Sequence, residues 1–251
     1  MNVQTYLTRI KVDDPVDVDF ESLARLQNNH VLIIPFENLD VMNGVHIPLN
    51  IETYYNKVVH HQRGGFCYEL NGLFHSLLKA LGFDNTLIGC TVNTGNGWGN
   101  EESHASQIVY LDQPYVVDVG FGDSARIPLP LNGDSQADIS GNFRVIKRDD
   151  GYYHKQKEVD GKWQTKFRFL HEPRELADFA EACHYAQTSP NSHFTQRRLV
   201  TLATRTGRET LSANTLTTTK DDVKTKREIA ESDIDDVLKN IFGIIVETDE
   251  K

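Results

Sequence analysis

Cysteine is scarce in this chain of 251 residues, and the scarcity limits what its thiols can do. Cys67, Cys90 and Cys183 stand far apart, and an odd, scattered set does not form the disulfide framework of a small secreted domain. The chain has no Cys-x-x-Cys pair, and His60 and His61 are adjacent rather than at ligand spacing, so the sequence predicts no metal site. We therefore expect free thiols and a reducing, cytoplasmic setting.

Long apolar runs and an excess of positive charge are also missing. No segment approaches the roughly 20 apolar residues of a membrane-spanning helix, and the first residues, MNVQTYLTRIKVDD, lack the apolar run of a signal peptide. Lys and Arg number 26 against 36 Asp and Glu, a formal net charge of −10. An acidic surface repels nucleic-acid phosphates and anionic lipid head groups, so we expect neither nucleic acid nor a membrane as a partner. That charge still allows a local basic pocket for a phosphorylated ligand.

The order of the sequence patterns predicts an α+β protein. Apolar residues in the first third recur at helical spacing, most clearly from Phe66 to Leu81. Short β-like runs separated by Asp-Gly pairs follow, and they predict an antiparallel sheet or small barrel built of hairpins. The end reads as a further hairpin around Thr206-Gly207 and an amphipathic helix, for which Ser232 and Asp235 are predicted to form a capping box.

The segment RGGFCYELNGL at 63–73 places Cys67 at the start of the clearest helix, because Gly64 and Gly65 cannot easily continue a helix. The helix dipole and the free N–H groups of a first turn stabilise a thiolate, so this position predicts a lowered pKa for the Cys67 thiol. The pattern favours a nucleophile, and a buried structural thiol stays open as the alternative.

A nucleophilic thiol needs a base and a group that orients the base. His104 stands at the edge of the strand pattern ASQIVYL, and Asp118 ends the apolar run YVVD. A tight turn at Asp112-Gln113-Pro114 joins the two strands and can bring both side chains to one region. Cys67, His104 and Asp118 thus form a plausible nucleophile, base and orienting group, although a structural hydrogen-bonding role for Asp118 stays open.

The same segment resembles the signature of the arylamine N-acetyltransferases, in which an RGG-x-C-x-E-x-N stretch carries the nucleophile. Arg63, Gly64, Gly65, Cys67, Glu69 and Asn71 match every fixed position of that signature. The resemblance extends along nearly the whole chain through these segments: PFENLD at 35–40, HASQIVYLDQPYVVDVGFGD at 104–123, TSPNSHFTQ at 188–196 and VLKNIFGI at 237–244. It implies that Cys67, His104 and Asp118 are the catalytic triad, with a charged pair of Arg63 and Glu69, together with Asn71, pinning the loop that holds Cys67.

The fold that this resemblance implies has three parts around a cysteine-protease-like catalytic core. Residues 1–84 would form an N-terminal helical bundle that carries the nucleophile. Residues 85–188 would form a central antiparallel β-barrel that carries His104 and Asp118. Residues 189–251 would form a C-terminal α/β lid.

The resemblance also implies the chemistry. The family transfers an acetyl group from acetyl-coenzyme A to an arylamine, arylhydroxylamine or hydrazine through an acetyl-cysteine. The implied acceptor contacts are Phe36, Ser103 and Phe121, and the implied coenzyme A contacts are Tyr185, Asn191 and His193. The residues alone leave open a thiol hydrolase or transglutaminase-like enzyme with the same triad. An amide synthase on the same fold also stays open.

Overall fold

The computed structural model describes residues 1–221 and 223–245, and these residues have the expected α+β architecture. Its helices are α1 Val3–Arg9, α2 Phe20–Ile33, α3 Leu39–Met42, α4 Ile51–Tyr55, α5 Cys67–Ala80, α6 Ala180–Thr188, α7 His193–Gln196 and α8 Ile234–Phe242. A π-helical turn at Asn56–His60 extends α4, and short 3₁₀ turns at Leu176–Phe179 and Glu231–Asp233 precede α6 and α8. Within the described residues, no helix combines the length and the apolar character needed to cross a membrane.

The strands form two antiparallel sheets. They are β1 Phe36–Glu37, β2 Asp84–Val92, β3 His104–Tyr110, β4 Pro114–Val117, β5 Leu129–Pro130, β6 Gln136–Asp138, β7 Gly141–Lys147, β8 Tyr153–Val159, β9 Lys162–Phe169, β10 Leu199–Thr204, β11 Gly207–Ser212, β12 Thr215–Lys220 and β13 Val223–Glu228. The larger sheet has the order β5-β4-β3-β2-β9-β8-β7-β6, and the smaller has the order β1-β10-β11-β12-β13.

Helix α5 is the central element of the helical part. Its residues from Cys67 to Phe74 are all buried, because one face packs on β2 and β3 and another meets α4. Polar residues rarely lie inside such a helix unless they are hydrogen-bonded. Glu69 and Asn71 are nevertheless almost fully buried there, which marks both as residues with specific partners.

The larger sheet curls into a nearly closed barrel, with β5 beside β7 at its open side. The predicted Asp-Gly hairpins are confirmed: Gly151 lies between β7 and β8, and Gly161 lies between β8 and β9. The interior holds apolar side chains from most strands, including Ile88, Ile108 and Phe143. The barrel therefore gives a rigid support to the side chains at the ends of its strands.

The smaller sheet and α8 form the lid expected at the end of the chain. The hairpin predicted around Gly207 is confirmed, and it continues through β12 and β13 as a meander. The capping box predicted for the last helix is wrong: Ser232 lies in a 3₁₀ turn and donates to the Asp233 carboxylate at 2.9 Å. That turn moves the start of α8 to Ile234, after Asp233, where Asp235 has no cap to complete.

The lid sheet also takes in β1, a strand from the N-terminal third of the chain, which pairs with β10 through Phe36 and Thr201. The predicted boundaries after residues 84 and 188 stay a prediction. Residues 246–251 of the predicted lid lie outside the described residues.

Candidate active site

Cys67 begins α5 directly behind a turn that needs glycine. A β-carbon at Gly64 would overlap the carbonyl oxygen of Pro35, and one at Gly65 would lie 2.8 Å from a Glu69 carboxylate oxygen. That same carboxylate oxygen accepts the backbone N–H of the residue before Cys67 at 3.0 Å and so caps the helix. The glycine pair lets the backbone at Pro35 approach the turn before α5, and this close approach fixes where the helix and Cys67 begin.

Five buried or half-buried charged side chains, which we call the charge cluster, support this turn. Lys57 Nζ lies 2.9 Å from Glu69 Oε1 and 2.8 Å from Asp40 Oδ2. Arg63 Nη2 lies 2.8 Å from both Glu37 Oε1 and Asp40 Oδ1. The expected pairing of Arg63 with Glu69 is therefore wrong, because the π-helical turn after α4 places Lys57 on Glu69 and leaves Arg63 to carboxylates of the 37–40 segment.

The β3–β4 hairpin brings His104 and Asp118 together, as the turn between the strands predicts. His104 is the first residue of β3, and Asp118 directly follows the last residue of β4. His104 Nε2 lies 3.0 Å from Asp118 Oδ2, and both residues are buried. If Nε2 carries the proton that Asp118 accepts, the other ring nitrogen is free to act as a base.

Asn71 links the nucleophile helix to this hairpin. Its Nδ2 donates to Asp118 Oδ1 at 3.0 Å and to the carbonyl of Ala105 at 2.7 Å, and its Oδ1 accepts the backbone N–H of Val119 at 2.9 Å. One side chain of α5 therefore holds β3, the end of β4 and the Asp118 carboxylate in a fixed relation to Cys67.

Burial dominates the electrostatics of the nucleophile. Burial raises the pKa of the Cys67 thiol well above its usual value, and backbone hydrogen bonds from Ala105 and Tyr68 lower it only in part. The helix start is thus outweighed by loss of solvent, contrary to the lowered pKa predicted from position alone. A proton acceptor beside the sulfur is required for activation.

Asp118 shows the opposite balance. Burial acts to raise its pKa, but the charges and hydrogen bonds of His104, Lys155 and Asn71 outweigh burial and hold that pKa well below its usual range. Asp118 is therefore a carboxylate throughout the neutral pH range, as an orienting group for His104 must be.

A cleft of about 760 Å³ opens onto Cys67 and His104. The six side chains that the resemblance assigned to ligands all line it: Phe36, Ser103, Phe121, Tyr185, Asn191 and His193. Asp118 lies behind His104 and is 1% exposed. The structure thus gathers residues from the helical part, the barrel and the 180–196 segment around one thiol.

Comparison with known proteins assigns the family. The N-acetyltransferase family model matches residues 19–251. The chain is 32% identical to the pineal gland arylamine N-acetyltransferase isozyme of Gallus gallus, over 98% of this chain and 95% of that one. It is also 32% identical to arylamine N-acetyltransferase 2 of Rattus norvegicus, with the same coverage. This chain belongs to the arylamine N-acetyltransferase family. It is therefore an acyltransferase, and the resemblance seen in the sequence is confirmed.

Solved arylamine N-acetyltransferases also share the fold. The structure from Mycobacterium abscessus superposes with a TM-score of 0.92 at 28% identity, covering 99% of this chain and 92% of that one. The structure from Bacillus cereus superposes with a TM-score of 0.91 at 26% identity, covering 98% and 100%. That enzyme is described as having a unique Cys-His-Glu catalytic triad, whereas the carboxylate beside His104 here belongs to Asp118.

The cleft of this arylamine N-acetyltransferase changes character from its inner end to its mouth. Phe36 is 8% exposed and Phe121 is half-buried, while Asn191 and His193 are exposed and Tyr185 is 39% exposed. Ser103 Oγ accepts the backbone N–H of the last residue of β2 at 3.1 Å, so it also fixes the wall beside His104. An apolar interior with a polar, open mouth suits a flat aromatic ring inside and a large phosphorylated ligand outside.

Three residues of the site were not assigned a role from the sequence, although one of them, Phe194, lies within the TSPNSHFTQ segment. Lys155 touches the Asp118 carboxylate from β8, and Arg208 and Phe194 line the cleft from the lid and from α7. One signal was available: Lys155 occupies an inward position of the strand run YHKQKEV, where an apolar residue is expected. Among residues 1–221 and 223–245, no group of three or more His, Cys, Asp or Glu side chains is placed to hold a metal ion.

Proposed function

We propose that this chain transfers an acetyl group from acetyl-coenzyme A to an arylamine, arylhydroxylamine or hydrazine through an acetyl-Cys67 intermediate. The observation that carries the proposal is the buried hydrogen bond between His104 and Asp118 beside a thiol that opens onto the same cleft. The family membership supports the donor and the class of acceptor, since the curated relatives are named arylamine N-acetyltransferases.

In the first half-reaction, His104 takes the proton of the Cys67 thiol and the sulfur attacks the thioester carbonyl. Backbone N–H groups at the start of α5 stabilise the negative charge that develops on the carbonyl oxygen. The bond between that carbonyl carbon and the coenzyme A sulfur breaks, and the coenzyme A thiol leaves with the proton from the imidazolium. Cys67 then carries the acetyl group.

In the second half-reaction, the amine nitrogen attacks the acetyl carbon and the bond to the Cys67 sulfur breaks. His104 accepts a proton from the nitrogen and returns it to the sulfur, so the enzyme ends in its starting state. Asp118 holds the imidazole in position and stabilises its cationic form during both transfers. An arylamine is weakly basic and therefore largely uncharged near neutral pH, as an attacking amine must be.

We propose that the acceptor ring lies against Phe36 and Phe121 beside Ser103, at the inner end of the cleft. We propose that coenzyme A lies at the mouth, against Tyr185, Asn191 and His193. The apolar interior and the exposed polar mouth support this division. We further propose that the acceptors include aromatic amines foreign to the cell, which a flat ring pocket accommodates. The three free thiols support a cytoplasmic setting.

Intact-protein mass spectrometry tests the reaction. After incubation with acetyl-coenzyme A we expect one acetyl group on Cys67, and added arylamine should discharge it. Cys67→Ser should abolish labelling and turnover, while Cys183→Ser, at a second buried thiol outside the cleft lining, should not. A thiol hydrolase or transglutaminase-like enzyme would show no stable acetyl adduct, and an amide synthase would discharge the adduct with its own acyl acceptor rather than with simple arylamines.

The division of the cleft has a separate test. Phe121→Ala should raise the KM for the arylamine with little change in the KM for acetyl-coenzyme A, and Asn191→Ala should do the reverse. Equal effects of both variants on both KM values would contradict the assigned positions.

A further inference from the structure

Lys155 is a buried lysine that the mechanism above does not use. It lies on β8 between Val145 of β7 and Phe167 of β9, and both of these neighbours are fully buried. The Lys155 side chain is 1% exposed. Burying an ammonium group costs several kcal/mol unless it is well paired, and apolar side chains often replace buried ion pairs without loss of stability. Packing alone therefore does not explain a lysine at this position.

The contacts of Lys155 lead to the proposed catalytic carboxylate. Its Nζ lies 3.4 Å from Asp118 Oδ2 and donates to the buried hydroxyl of Ser124. It also faces three aromatic rings at 4.9 to 5.9 Å from their centroids: Phe121, Phe143 and Phe167. The ring faces and the carboxylate together offset the loss of solvent around the ammonium.

Lys155 and His104 share their surroundings. Asp118 Oδ2, the oxygen next to Lys155, is also the oxygen that receives His104 Nε2 at 3.0 Å. Phe121 and Phe167 contact the His104 ring with centroids at 5.1 and 5.2 Å. An ammonium and an imidazole therefore meet one carboxylate oxygen in a space that excludes water, where like charges repel strongly.

The groups that face His104 come from every element around it. Cys67 lies on α5, and Cys90 of β2 is the strand partner of His104. Asp118 follows β4, Lys155 lies on β8, and the β9 residue in contact with the imidazole is the apolar Phe167. With Cys90 protonated and Cys67 protonated or acetylated, the charges in contact at His104 are the Asp118 carboxylate and the Lys155 ammonium, and they balance. Asp123 and Arg208 also line the cleft, but they lie 3.8 Å apart and pair with each other.

This balance matters most after Cys67 has been acetylated. An acetylated sulfur cannot form an ion pair with His104, and Asp118 alone would then favour an imidazolium, which cannot accept a proton from the amine. We propose that Lys155 is a positioning residue that balances the charge of Asp118 and so keeps His104 neutral and ready for the second half-reaction. That an amine donates this proton to His104 rests on the proposed function.

The first test is the pH profile of the second half-reaction. Enzyme is acetylated with acetyl-coenzyme A, freed of donor and mixed with an arylamine, and the discharge of acetyl-Cys67 is followed at a series of pH values. In Lys155→Met the acid limb of the rate should move to higher pH by about one unit, which slows discharge about tenfold on that limb. Lys155→Arg, which keeps the cation, and Lys162→Met, which removes an exposed lysine, should follow the wild type.

A folded Lys155→Met enzyme with the wild-type acid limb would overturn the proposal, because a purely structural lysine does not move a pH profile. If Lys155→Met fails to fold, Lys155→Gln can still bond Ser124 and must show the same displacement.

The second test uses the unchanged chain and does not depend on acetyl transfer. Cys67 is capped with iodoacetamide, and the ¹⁵N signals of the histidine rings are recorded, with His104→Gln used to assign the signal of His104. We expect one protonated and one unprotonated ring nitrogen for His104 near pH 7. An imidazolium signal there would overturn the role of Lys155. Failure of acetyl-coenzyme A to label Cys67 would instead overturn the proposed function and leave this measurement valid.

Discussion

Two regions beside Cys67 hold buried charge in different ways. The charge cluster of Glu37, Asp40, Lys57, Arg63 and Glu69 bonds to itself and to backbone N–H groups of the chain around the nucleophile, such as that of Phe66. The second region, which we call the His–Asp group, consists of Asn71, His104, Asp118 and Lys155, and its bonds end on an imidazole that lines the cleft.

The charge count differs as well. The charge cluster has three carboxylates that share two cations and so carries one excess negative charge, whereas in the His–Asp group one carboxylate faces one permanent cation. An excess of buried charge affects the stability of the fold, while a balanced pair adds no net charge beside the neighbouring imidazole. Changes in the charge cluster should therefore alter stability more than chemistry, and changes in the His–Asp group should do the opposite.

The largest effect is expected for His104→Gln. Acetyl transfer should fall by at least about 10⁴-fold, because the proton acceptor for Cys67 is lost. The free energy of unfolding should change by less than about 1 kcal/mol, since Asp118 keeps Lys155 and Asn71 as partners. Urea unfolding and the rate of Cys67 acetylation measure the two quantities. His46→Gln, at an exposed position, is the control, and a large loss of stability in His104→Gln alone would break the comparison.

The next effect belongs to the charge cluster. Lys57→Met leaves three carboxylates with Arg63 as the remaining cation, and we expect the free energy of unfolding to fall by about 3 to 5 kcal/mol. At low temperature the molecules that stay folded should acetylate Cys67 at nearly the wild-type rate. Urea unfolding against exposed Lys162→Met as control measures the loss. Wild-type stability together with slow acetylation would reverse the roles assigned to the two regions.

The excess of carboxylates in the charge cluster should make the free energy of unfolding depend on pH. Burial and the neighbouring Glu37 raise the pKa of Glu69 to about 7, although Lys57 opposes this. Between its usual value and about 7, the folded chain holds a proton that the unfolded chain releases. The free energy of unfolding should therefore fall, by about 3 kcal/mol from this group, as pH rises from about 4.5 to about 7.

Glu69→Gln tests that dependence, because glutamine still accepts the N–H of Phe66 but does not titrate. Its unfolding free energy, measured in urea between about pH 5 and pH 8, should lack the fall seen in the wild type. Glu52→Gln, at an exposed helix position, should keep it. Parallel curves for all three proteins would show that Glu69 is ionised across the whole range.

The sequence reveals the His–Asp pair more readily than the charge cluster, for a geometric reason. His104 and Asp118 lie on consecutive strands joined by a short turn, so local pairing rules bring them together. The partners of the charge cluster come from segments that meet only in the tertiary fold. Lys57 is 12 residues from Glu69 and sits on a π-helical turn that no propensity rule marks.

Burial is the other quantity that the pattern around Cys67 does not contain. The position of the thiol at a helix start is local and was correctly predicted, but the sign of its pKa shift depends on the packing of distant elements. Lys155 is similar: β8 and its hairpin follow from the Asp-Gly turns, yet contact with Asp118 depends on how the barrel curls.

The smallest effect is expected where the loop after Asp118 packs against the start of α5. A β-carbon at Gly120 would lie 2.7 Å from Asn71 Nδ2 and 2.9 Å from the Cα of Cys67, so Gly120→Ala pushes the His–Asp group away from the nucleophile. Overpacking of this kind costs about 1 to 3 kcal/mol. A β-carbon at Gly72 of α5 would meet side-chain atoms alone, the nearest being the flexible end of Leu176 at 3.2 Å, so Gly72→Ala should be nearly neutral.

Gly120→Ala tests whether the close approach of these two backbone segments sets the distance between Cys67 and His104. If it does, the variant loses stability, measured in urea, and its rate of Cys67 acetylation falls by about tenfold or more. If the loop at Gly120 yields without moving Asp118, stability alone falls and acetylation keeps its wild-type rate. The second result would mean that the distance between Cys67 and His104 is set by Asn71 and not by the close approach of the two backbones.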